Sequence, residues 1–389
     1  MTKPKPKIPY GRQKIGNDDI EAVVRVLNAD LITTGPVTEQ FENSLAKVVS
    51  TKFAASCSSG TAALHLAVRS LQIKTNDLVV VPTITFLATA NAPRYVGADV
   101  LFCDVDPDTG LIDVSSFHKL CKQYGKKIVA VMPVHLAGQT PDLKSIFEIA
   151  EPRGISVIED ASHAIGSRYF DGADEIPVGS CVHSSMTTFS FHPVKNITMG
   201  EGGAVTTNDI KLDGKIKSLR NHGISKFHNN ERPWDYKMDE IGYNYRTSDI
   251  NCALGLSQLD KIKKFSKTRE KLVSTYDKHI KKLFPVVKPI GRRKGVPAWH
   301  LYIVLIDFEK IKMSRGRLIH ELEDLGVGSQ VHYIPVHTQP YYKNLYGELE
   351  LPGADSYYQK CLSLPIHANM TEEDVVYIVD SIKVVIEAS

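Results

Sequence analysis

The sequence TTFSFHPVKNITMGEGGAVTTN at residues 187–208 places one lysine, Lys195, in a turn between two runs of strand-forming residues. The runs at residues 187–191 and 204–207 are apolar and β-branched, which is typical of buried strands. A lysine held between buried strands is poorly hydrated, so its uncharged amine becomes accessible near neutral pH. An uncharged amine can condense with a carbonyl to form a Schiff base. We therefore interpret Lys195 as a nucleophile rather than as one of the many surface lysines.

The lysine stretch belongs to a longer region, residues 55–210, in which helix-like stretches alternate with short β-branched runs. Helix patterns include residues 61–71 and 142–153. The predicted strands lie at residues 78–81, 100–103, 128–132, 155–158, 187–191 and 204–207. Several of these runs are almost continuously hydrophobic, as expected of strands covered on both faces. The alternation predicts an α/β fold with a mostly parallel sheet and helices on both sides.

The pattern changes towards the C-terminus. It predicts one long helix at residues 246–279, followed by a strand at 301–306 and helices at 315–325 and 372–387. A chain of 389 residues is also long for a single core. We predict a large α/β domain over residues 1–269 and a smaller α+β domain over residues 270–389, although no Pro/Gly/Ser-rich linker marks the boundary.

Composition excludes several classes of function. The 47 basic residues nearly balance the 44 acidic ones, so composition gives no sign of a nucleic-acid partner. The six cysteines form no C-x-x-C pair, which is typical of reduced thiols rather than of a zinc site. No apolar region follows the N-terminal lysines, so we expect no secretory signal, and the longest apolar run, residues 78–90, is too short to span a bilayer. We expect a cytoplasmic protein without a membrane or nucleic-acid partner.

Asp160 follows the predicted strand at residues 155–158, and ligands gather at the carboxyl ends of parallel strands. A carboxylate there can keep the ring nitrogen of a pyridine cofactor protonated, so that the ring accepts an electron pair. By itself Asp160 would more often cap the next turn, and only its pairing with Lys195 favours the functional interpretation.

The sequence SSGTAA at residues 58–63 leads into a helix, whose N-terminus can bind an anion through free backbone N–H groups. Thr61 can add a hydroxyl group. The same letters also fit an ordinary helix cap, so the motif alone leaves both interpretations open.

Together, the lysine segment, the D-A-S-H sequence at residues 160–163 and the SSGTAA turn resemble the DegT/DnrJ/EryC1/StrS family of sugar aminotransferases, which depend on pyridoxal 5′-phosphate (PLP). The resemblance extends from about residue 8 to the end of the chain. It implies fold type I of the PLP-dependent transferases, with a mostly parallel seven-stranded sheet in the large domain. The lysine segment is most similar to the subgroup that aminates a UDP-linked 4-keto-6-deoxy-N-acetylhexosamine for pseudaminic acid biosynthesis.

The resemblance also assigns roles to individual positions. It implies that Lys195 carries PLP, that Asp160 meets the ring nitrogen and that His163 lies near the 3-oxygen. The other cofactor contacts that it implies are Gly60, Thr61, Ala62, Phe86, Ser190 and Asn244. Phe86 would stack on the ring, and Asn244 would reach the phosphate bound in the partner subunit of a homodimer, whose active sites are shared across the interface. The amino donor is expected to be glutamate, and the nucleotide-sugar contacts to be Thr33, Thr34, Gly35, His332 and Tyr333.

Other interpretations stay open at this point. Phe86 could be a core residue and His163 a packed one. The protein could be a sugar dehydratase of the same fold, although that subgroup has histidine in place of the lysine. It could also be a PLP-binding regulator without turnover, or a sugar-binding module without enzymatic activity. A metal site is not expected, because His300, His332 and His337 lack carboxylate partners in the sequence.

Overall fold

The computed structural model describes residues 7–226, 232 and 234–388. The first six residues of the predicted large domain lie outside the described residues. The strands are β1 (Phe53–Cys57), β2 (Leu78–Pro82), β3 (Asp99–Cys103), β4 (Ile128–Val131), β5 (Ser156–Asp160), β6 (Arg168–Asp171), β7 (Asp174–Pro177), β8 (Met186–Ser190), β9 (Gly203–Thr207), β10 (Ile224–Lys226), β11 (Tyr236–Met238), β12 (Val287–Pro289), β13 (Gly295–Val296), β14 (Tyr302–Ile306) and β15 (Cys361–Leu364).

Helices fill most of the chain between these strands. They are α1 (Asn17–Leu27), α2 (Pro36–Val49), α3 (Gly60–Ser70), α4 (Leu87–Tyr95), α5 (Val114–Tyr124), α6 (Leu143–Ala150), α7 (Ile210–Leu219), α8 (Asp249–Leu259), α9 (Ile262–Ile280), α10 (Arg315–Asp324), α11 (Pro340–Tyr346), α12 (Pro352–Lys360) and α13 (Glu372–Glu387). Within the described part of the chain, no helix combines the length and the apolar character needed to cross a bilayer.

The central sheet has seven strands in the order β1-β9-β8-β5-β4-β2-β3. Its pairs are parallel except for the two that involve β9. Side chains of one strand alternate between two helical layers: Val79 and Val81 pack in the core that contains α3 and α4, whereas Val80 packs with α5 and α6. The predicted mostly parallel sheet, covered by helices on both sides, is confirmed.

A second core lies in the C-terminal part of the chain. There the antiparallel sheet β12-β14-β15 packs with α9, α10 and α13 around buried aromatic and aliphatic side chains. Tyr276 of α9 stacks on Tyr302 of β14, with their ring centroids 4.2 Å apart. This arrangement matches the predicted smaller α+β unit.

The single helix predicted at residues 246–279 is wrong, because α8 ends at Leu259 and α9 begins at Ile262. The break lets α8 pack on α1 and α2, while α9 packs on α13. At the break, the Lys261 amine forms ion pairs with Asp19 and Asp18 of α1, at 2.6 and 2.8 Å. Tertiary contacts therefore interrupt a pattern that is locally compatible with a continuous helix.

The predicted domain boundary at residue 269 falls inside α9, and it stays a prediction. The early α9 residues Ile262 and Phe265 pack in a core of the large unit. The later residues Leu272 and Tyr276 pack in the C-terminal core. One helix thus contributes to both cores, which explains why no linker marks the boundary.

Candidate active site

A cavity of about 620 Å³ lies at the carboxyl ends of β5 and β8. Nine of the residues predicted to form the site line it: Gly60, Thr61, Phe86, Asp160, His163, Ser190, Lys195, His332 and Tyr333. Ala62, Thr33, Thr34, Gly35 and Asn244 lie outside its wall. Residues that the sequence did not single out for this site also line the cavity, among them Tyr10, Ser162, His192, Glu201, His300 and Gln339.

Lys195 lies in the turn that follows β8, and its side chain is half-buried. Its backbone N–H donates to the carbonyl oxygen of His192 at 2.9 Å, which fixes the turn. Burial lowers the pKa of the Lys195 amine from an ordinary 10.5 to about 8, although the charge of Asp160 opposes the shift. The amine is therefore largely available in its uncharged form at mildly alkaline pH.

Asp160 ends β5 and is buried, and its carboxylate is held from two sides. The Thr89 hydroxyl donates to Oδ2 at 2.7 Å, while the Ser162 backbone N–H and hydroxyl donate to Oδ1 at 3.1 and 2.6 Å. Among the described residues, no lysine, arginine or histidine forms an ion pair with this carboxylate. A fixed, buried negative charge is thus available for a cationic ligand group.

His163 faces both Tyr333 and His300. Its Nε2 and the Tyr333 hydroxyl are 3.1 Å apart, and its ring centroid lies 4.3 Å from that of His300. Burial, and then the positive charge of Lys195, hold the pKa of His163 well below its ordinary value. Its buried Nδ1 has no hydrogen-bond partner within the described ranges, so the uncharged ring can still bond a ligand.

The turn before α3 forms one end of the cavity wall, next to the last residue of β8. The Ser59 hydroxyl accepts the Ala62 backbone N–H at 3.1 Å and so caps the helix. The cap uses the amide of Ala62, which is buried outside the cavity wall. Gly60 and Thr61 line the cavity, and Gly60 lies so close to Ser190 that an added Cβ would be 2.7 Å from the Ser190 Cβ. This end of the cavity is suited to an anion.

Phe86 is 57% exposed, so it is not a core residue. It precedes α4 and lines the cavity across from Tyr333, with 6.2 Å between the two ring centroids. A flat apolar face in this position can cover a planar ligand and exclude water.

The comparisons with known proteins agree over almost the whole chain. The model of the DegT/DnrJ/EryC1/StrS aminotransferase family matches residues 13–383. The chain belongs to this family. It is 38% identical over 382 residues to the UDP-4-amino-4,6-dideoxy-N-acetyl-beta-L-altrosamine transaminase of Campylobacter jejuni, with 98% of each chain covered.

Solved structures of this aminotransferase family extend the likeness to the fold. PseC of Helicobacter pylori, an aminotransferase involved in the biosynthesis of pseudoaminic acid, is similar with a TM-score of 0.91 and 31% identity. The match covers 98% of this chain and all of PseC. Spr1654 of Streptococcus pneumoniae in its PLP-form is similar with a TM-score of 0.88 and 29% identity, covering 98% of this chain and 99% of that one. The expected fold, the PLP cofactor and the class of nucleotide-sugar aminotransferase are confirmed.

The residues around the cavity of this aminotransferase fit PLP. A poorly hydrated amine at Lys195 suits the aldehyde, and the unpaired carboxylate of Asp160 suits a protonated ring nitrogen. The capped N-terminus of α3 suits the phosphate, since helix N-termini bind such anions. In the described part of the chain, no group of three or more His, Cys, Asp or Glu side chains could hold a metal ion.

Proposed function

We propose that this aminotransferase moves the amino group of L-glutamate to C4 of UDP-2-acetamido-2,6-dideoxy-β-L-arabino-hex-4-ulose, in pseudaminic acid or surface glycan biosynthesis. The observation that carries the choice of sugar is the 38% identity, across 98% of both chains, to a transaminase named for this product. The likeness to PseC also supports it.

In this proposal Lys195 holds PLP covalently, and Asp160 pairs with its ring nitrogen. Thr61, the backbone at Gly60 and Ser190 bind the phosphate, and the Ala62 N–H joins them by exchanging its hydrogen bond to the Ser59 hydroxyl for one to the anion. Phe86 covers the ring and His163 bonds the 3-oxygen. When bound, PLP supplies a carbonyl that accepts the donor's amino group and a ring that accepts the electron pair of the broken Cα–H bond.

Lys195 then acts as the general base and acid. With PLP bound, its Nζ would carry the proton from Cα of glutamate to C4′ of PLP, a role for which a pKa near 8 is well matched. Asp160 keeps its charge facing the cofactor because Thr89 and Ser162 fix both oxygens. Phe86 and Tyr333 keep water away from the proton transfer.

The sugar contacts in this proposal are Thr33, Thr34, Gly35, His332 and Tyr333. His332 and Tyr333 line the cavity, which supports their assignment. Burial, together with the charge of Lys195, lowers the pKa of His332 to about 3, so this ring meets the sugar as an uncharged donor or acceptor. The turn that carries Thr33 and Thr34 lies outside the cavity wall.

We also propose a homodimer in which Asn244 reaches the phosphate in the partner subunit. The side chain of Asn244 is exposed. Large apolar side chains with exposed fractions of 61–73% precede it in the chain: Trp234, Tyr236, Met238 and Ile241. Such a concentration of exposed apolar surface is typical of a protein interface.

Covalent attachment is tested by saturating the purified enzyme with PLP, reducing it with borohydride and mapping the modified peptide. The expected product is a single phosphopyridoxyl group on Lys195. A digest in which no peptide containing Lys195 is modified would overturn the assignment of this residue, whichever sugar the enzyme uses.

The choice of sugar is tested by a panel of UDP- and dTDP-linked 4-keto-6-deoxy sugars, with glutamate as donor and NMR of the amine formed. We expect ping-pong kinetics and the highest kcat/KM for the UDP-linked N-acetyl sugar. A clear preference for another nucleotide sugar would assign the enzyme to a different member of the family. Failure of glutamate to convert PLP to pyridoxamine phosphate would instead favour a regulator without turnover.

A further inference from the structure

Asp249, the first residue of α8, is completely buried, and its carboxylate accepts hydrogen bonds from residues at the start of α2. Oδ1 accepts the backbone N–H of Gly35 at 2.9 Å and the hydroxyl of Thr38 at 2.8 Å. Oδ2 accepts the backbone N–H of Val37 at 3.0 Å. Among the described residues, no cation pairs with Asp249, so these hydrogen bonds offset the cost of burying its charge.

Further contacts join the turn at residues 31–35 to the same end of α8. The backbone N–H of Asp249 donates to the Ile32 carbonyl oxygen at 3.0 Å, and Thr33 forms a β-bridge with Ser248. Gly35 leaves no room for a side chain, because an added Cβ would lie 2.5 Å from Oδ2 of Asp249. The turn and the carboxylate therefore fit each other closely.

Thr34 has a φ of +54°, a left-handed conformation that is unfavourable for a β-branched residue. Its side chain is exposed rather than packed, so no local burial offsets the cost. The contacts of Asp249 on both sides of Thr34, at Ile32 and Gly35, account for this conformation. Strained conformations of this kind cluster at active sites and ligand clamps.

The first turn of α8 also reaches the lysine segment. The side-chain amide of Asn251 donates to the Met199 carbonyl oxygen at 2.7 Å, four residues after Lys195. Ser248 caps α8 by accepting the backbone N–H of Asn251 at 3.2 Å. One helical turn is thus bonded both to the turn at residues 31–35 and to the segment that carries the nucleophile.

From these contacts we infer that Asp249 is a positioning residue for the nucleotide sugar: it holds Thr33 and Thr34 in the conformation and place in which they contact this substrate. The inference rests on the proposed function, because it assumes that these threonines meet the sugar nucleotide. Asp249 itself does not touch the substrate. Its effect should therefore appear in the binding of the sugar and not in the reaction with glutamate.

The test is Asp249→Asn, which preserves the shape of the side chain. An amide presents one acceptor and one donor, so either Val37 N–H or Gly35 N–H would face another donor. We expect faster hydrogen–deuterium exchange in the peptide covering residues 31–38 and a KM for the UDP-linked 4-keto sugar raised by about tenfold. The rate of the half-reaction with glutamate and the affinity for PLP should stay at wild-type values.

Asp113→Asn is the matched control, since Asp113 caps α5 by accepting the backbone N–H groups of Ser115 and Ser116 at 3.1 and 3.0 Å. This variant should leave the exchange of residues 31–38 and the KM for the sugar unchanged. Thr38→Val provides a milder second test, because it removes one donor and keeps Asp249. It should raise the same KM by a smaller factor.

Two results would overturn the inference separately from the proposed function. If Asp249→Asn leaves exchange of residues 31–38 at the wild-type rate, Asp249 does not hold the turn. If exchange accelerates but the KM for the sugar is unchanged, the turn does not position the substrate. A Thr33→Ala/Thr34→Ala variant with an unchanged KM would instead refute the proposed sugar contact itself.

Discussion

At the scale of the residue, the amine of Lys195 shares its cavity with three histidine rings that are uncharged. Burial, and then neighbouring positive charges, lower the pKa values of His163, His300 and His332, so these rings add no cation beside the amine. Among the described residues, Asp160 is the group whose charge stabilises the protonated form of Lys195 and so raises its pKa. The reactivity of Lys195 therefore depends on two opposing effects: burial lowers the pKa of its amine, and the charge of Asp160 raises it.

Chemical labelling of Lys195 as a function of pH should measure the pKa of its amine. Because only the uncharged amine reacts, the acetylation rate of Lys195 in the cofactor-free enzyme should rise with pH, with a midpoint at about 8. Competitive labelling with acetic anhydride, followed by mass spectrometry of the peptide, measures the midpoint. Asp160→Asn removes the charge that stabilises the ammonium, so its midpoint should be lower than that of the wild type.

A midpoint near the ordinary 10.5 would show that burial does not control this amine. Lys195→Ala serves as the control for the identity of the peptide and should remain folded without completing turnover. Transamination by this variant at the wild-type rate would refute the assigned role of the lysine.

At the scale of the element, the N-terminus of α3 packs against a residue from a distant part of the chain. Ser59 caps the helix, and β1, at one edge of the sheet, brings the cap beside β9 and β8. Gly60 then lies against Ser190, the last residue of β8. The proposed phosphate site thus depends on a close approach between a helix and a strand end.

Gly60→Ala should weaken cofactor binding, because the new Cβ would lie 2.7 Å from the Ser190 Cβ and displace one side of the site. We expect the Kd for PLP to rise by about tenfold, equivalent to roughly 1.4 kcal/mol. Titration of the cofactor-free enzyme with PLP, followed by absorbance, measures the change.

Gly214→Ala is the control for this substitution, since an added Cβ in α7 meets no atom within 4 Å. It should leave the Kd for PLP unchanged and stabilise the helix by up to about 1 kcal/mol. Equal affinity for PLP in the Gly60→Ala variant and the wild type would contradict the close approach.

At the scale of the whole molecule, the proposed site combines groups that the single chain does not bring into one cavity. Lys195 and Asp160 line the cavity, whereas Asn244 lies outside it beside exposed apolar side chains. A symmetric dimer would place Asn244 of each subunit at the other subunit's site. In the proposed homodimer, each active site is therefore complete only when the two subunits are assembled.

Mixing two inactive variants tests this arrangement. Lys195→Ala and Asn244→Ala subunits, unfolded and refolded together in equal amounts, should regain about a quarter of the wild-type activity, because half of the dimers then contain one intact site. Light scattering should show dimers for each variant alone. No recovery from mixed dimers would mean that Asn244 serves its own subunit.

Much of this protein follows from local sequence. Hydrophobic runs located six strands of the central sheet because buried parallel strands need continuous apolar side chains. Asp160 was identified because it follows one of these runs, and ligands bind at the carboxyl ends of parallel strands. The local sequence pattern also predicted α13 with the bounds that the structure shows, Glu372–Glu387. The lysine segment with its neighbours indicated the family, which the full-length match confirmed.

Only the tertiary structure decided the rest. Thr89 supports Asp160 and His300 packs on His163, although these pairs are far apart in the sequence and no periodicity links them. The long helical pattern was divided because α8 and α9 pack on different neighbours. The local sequence pattern indicates which face of a helix or strand is buried. The packing of the whole chain determines which residues form hydrogen bonds to a given carboxylate or turn.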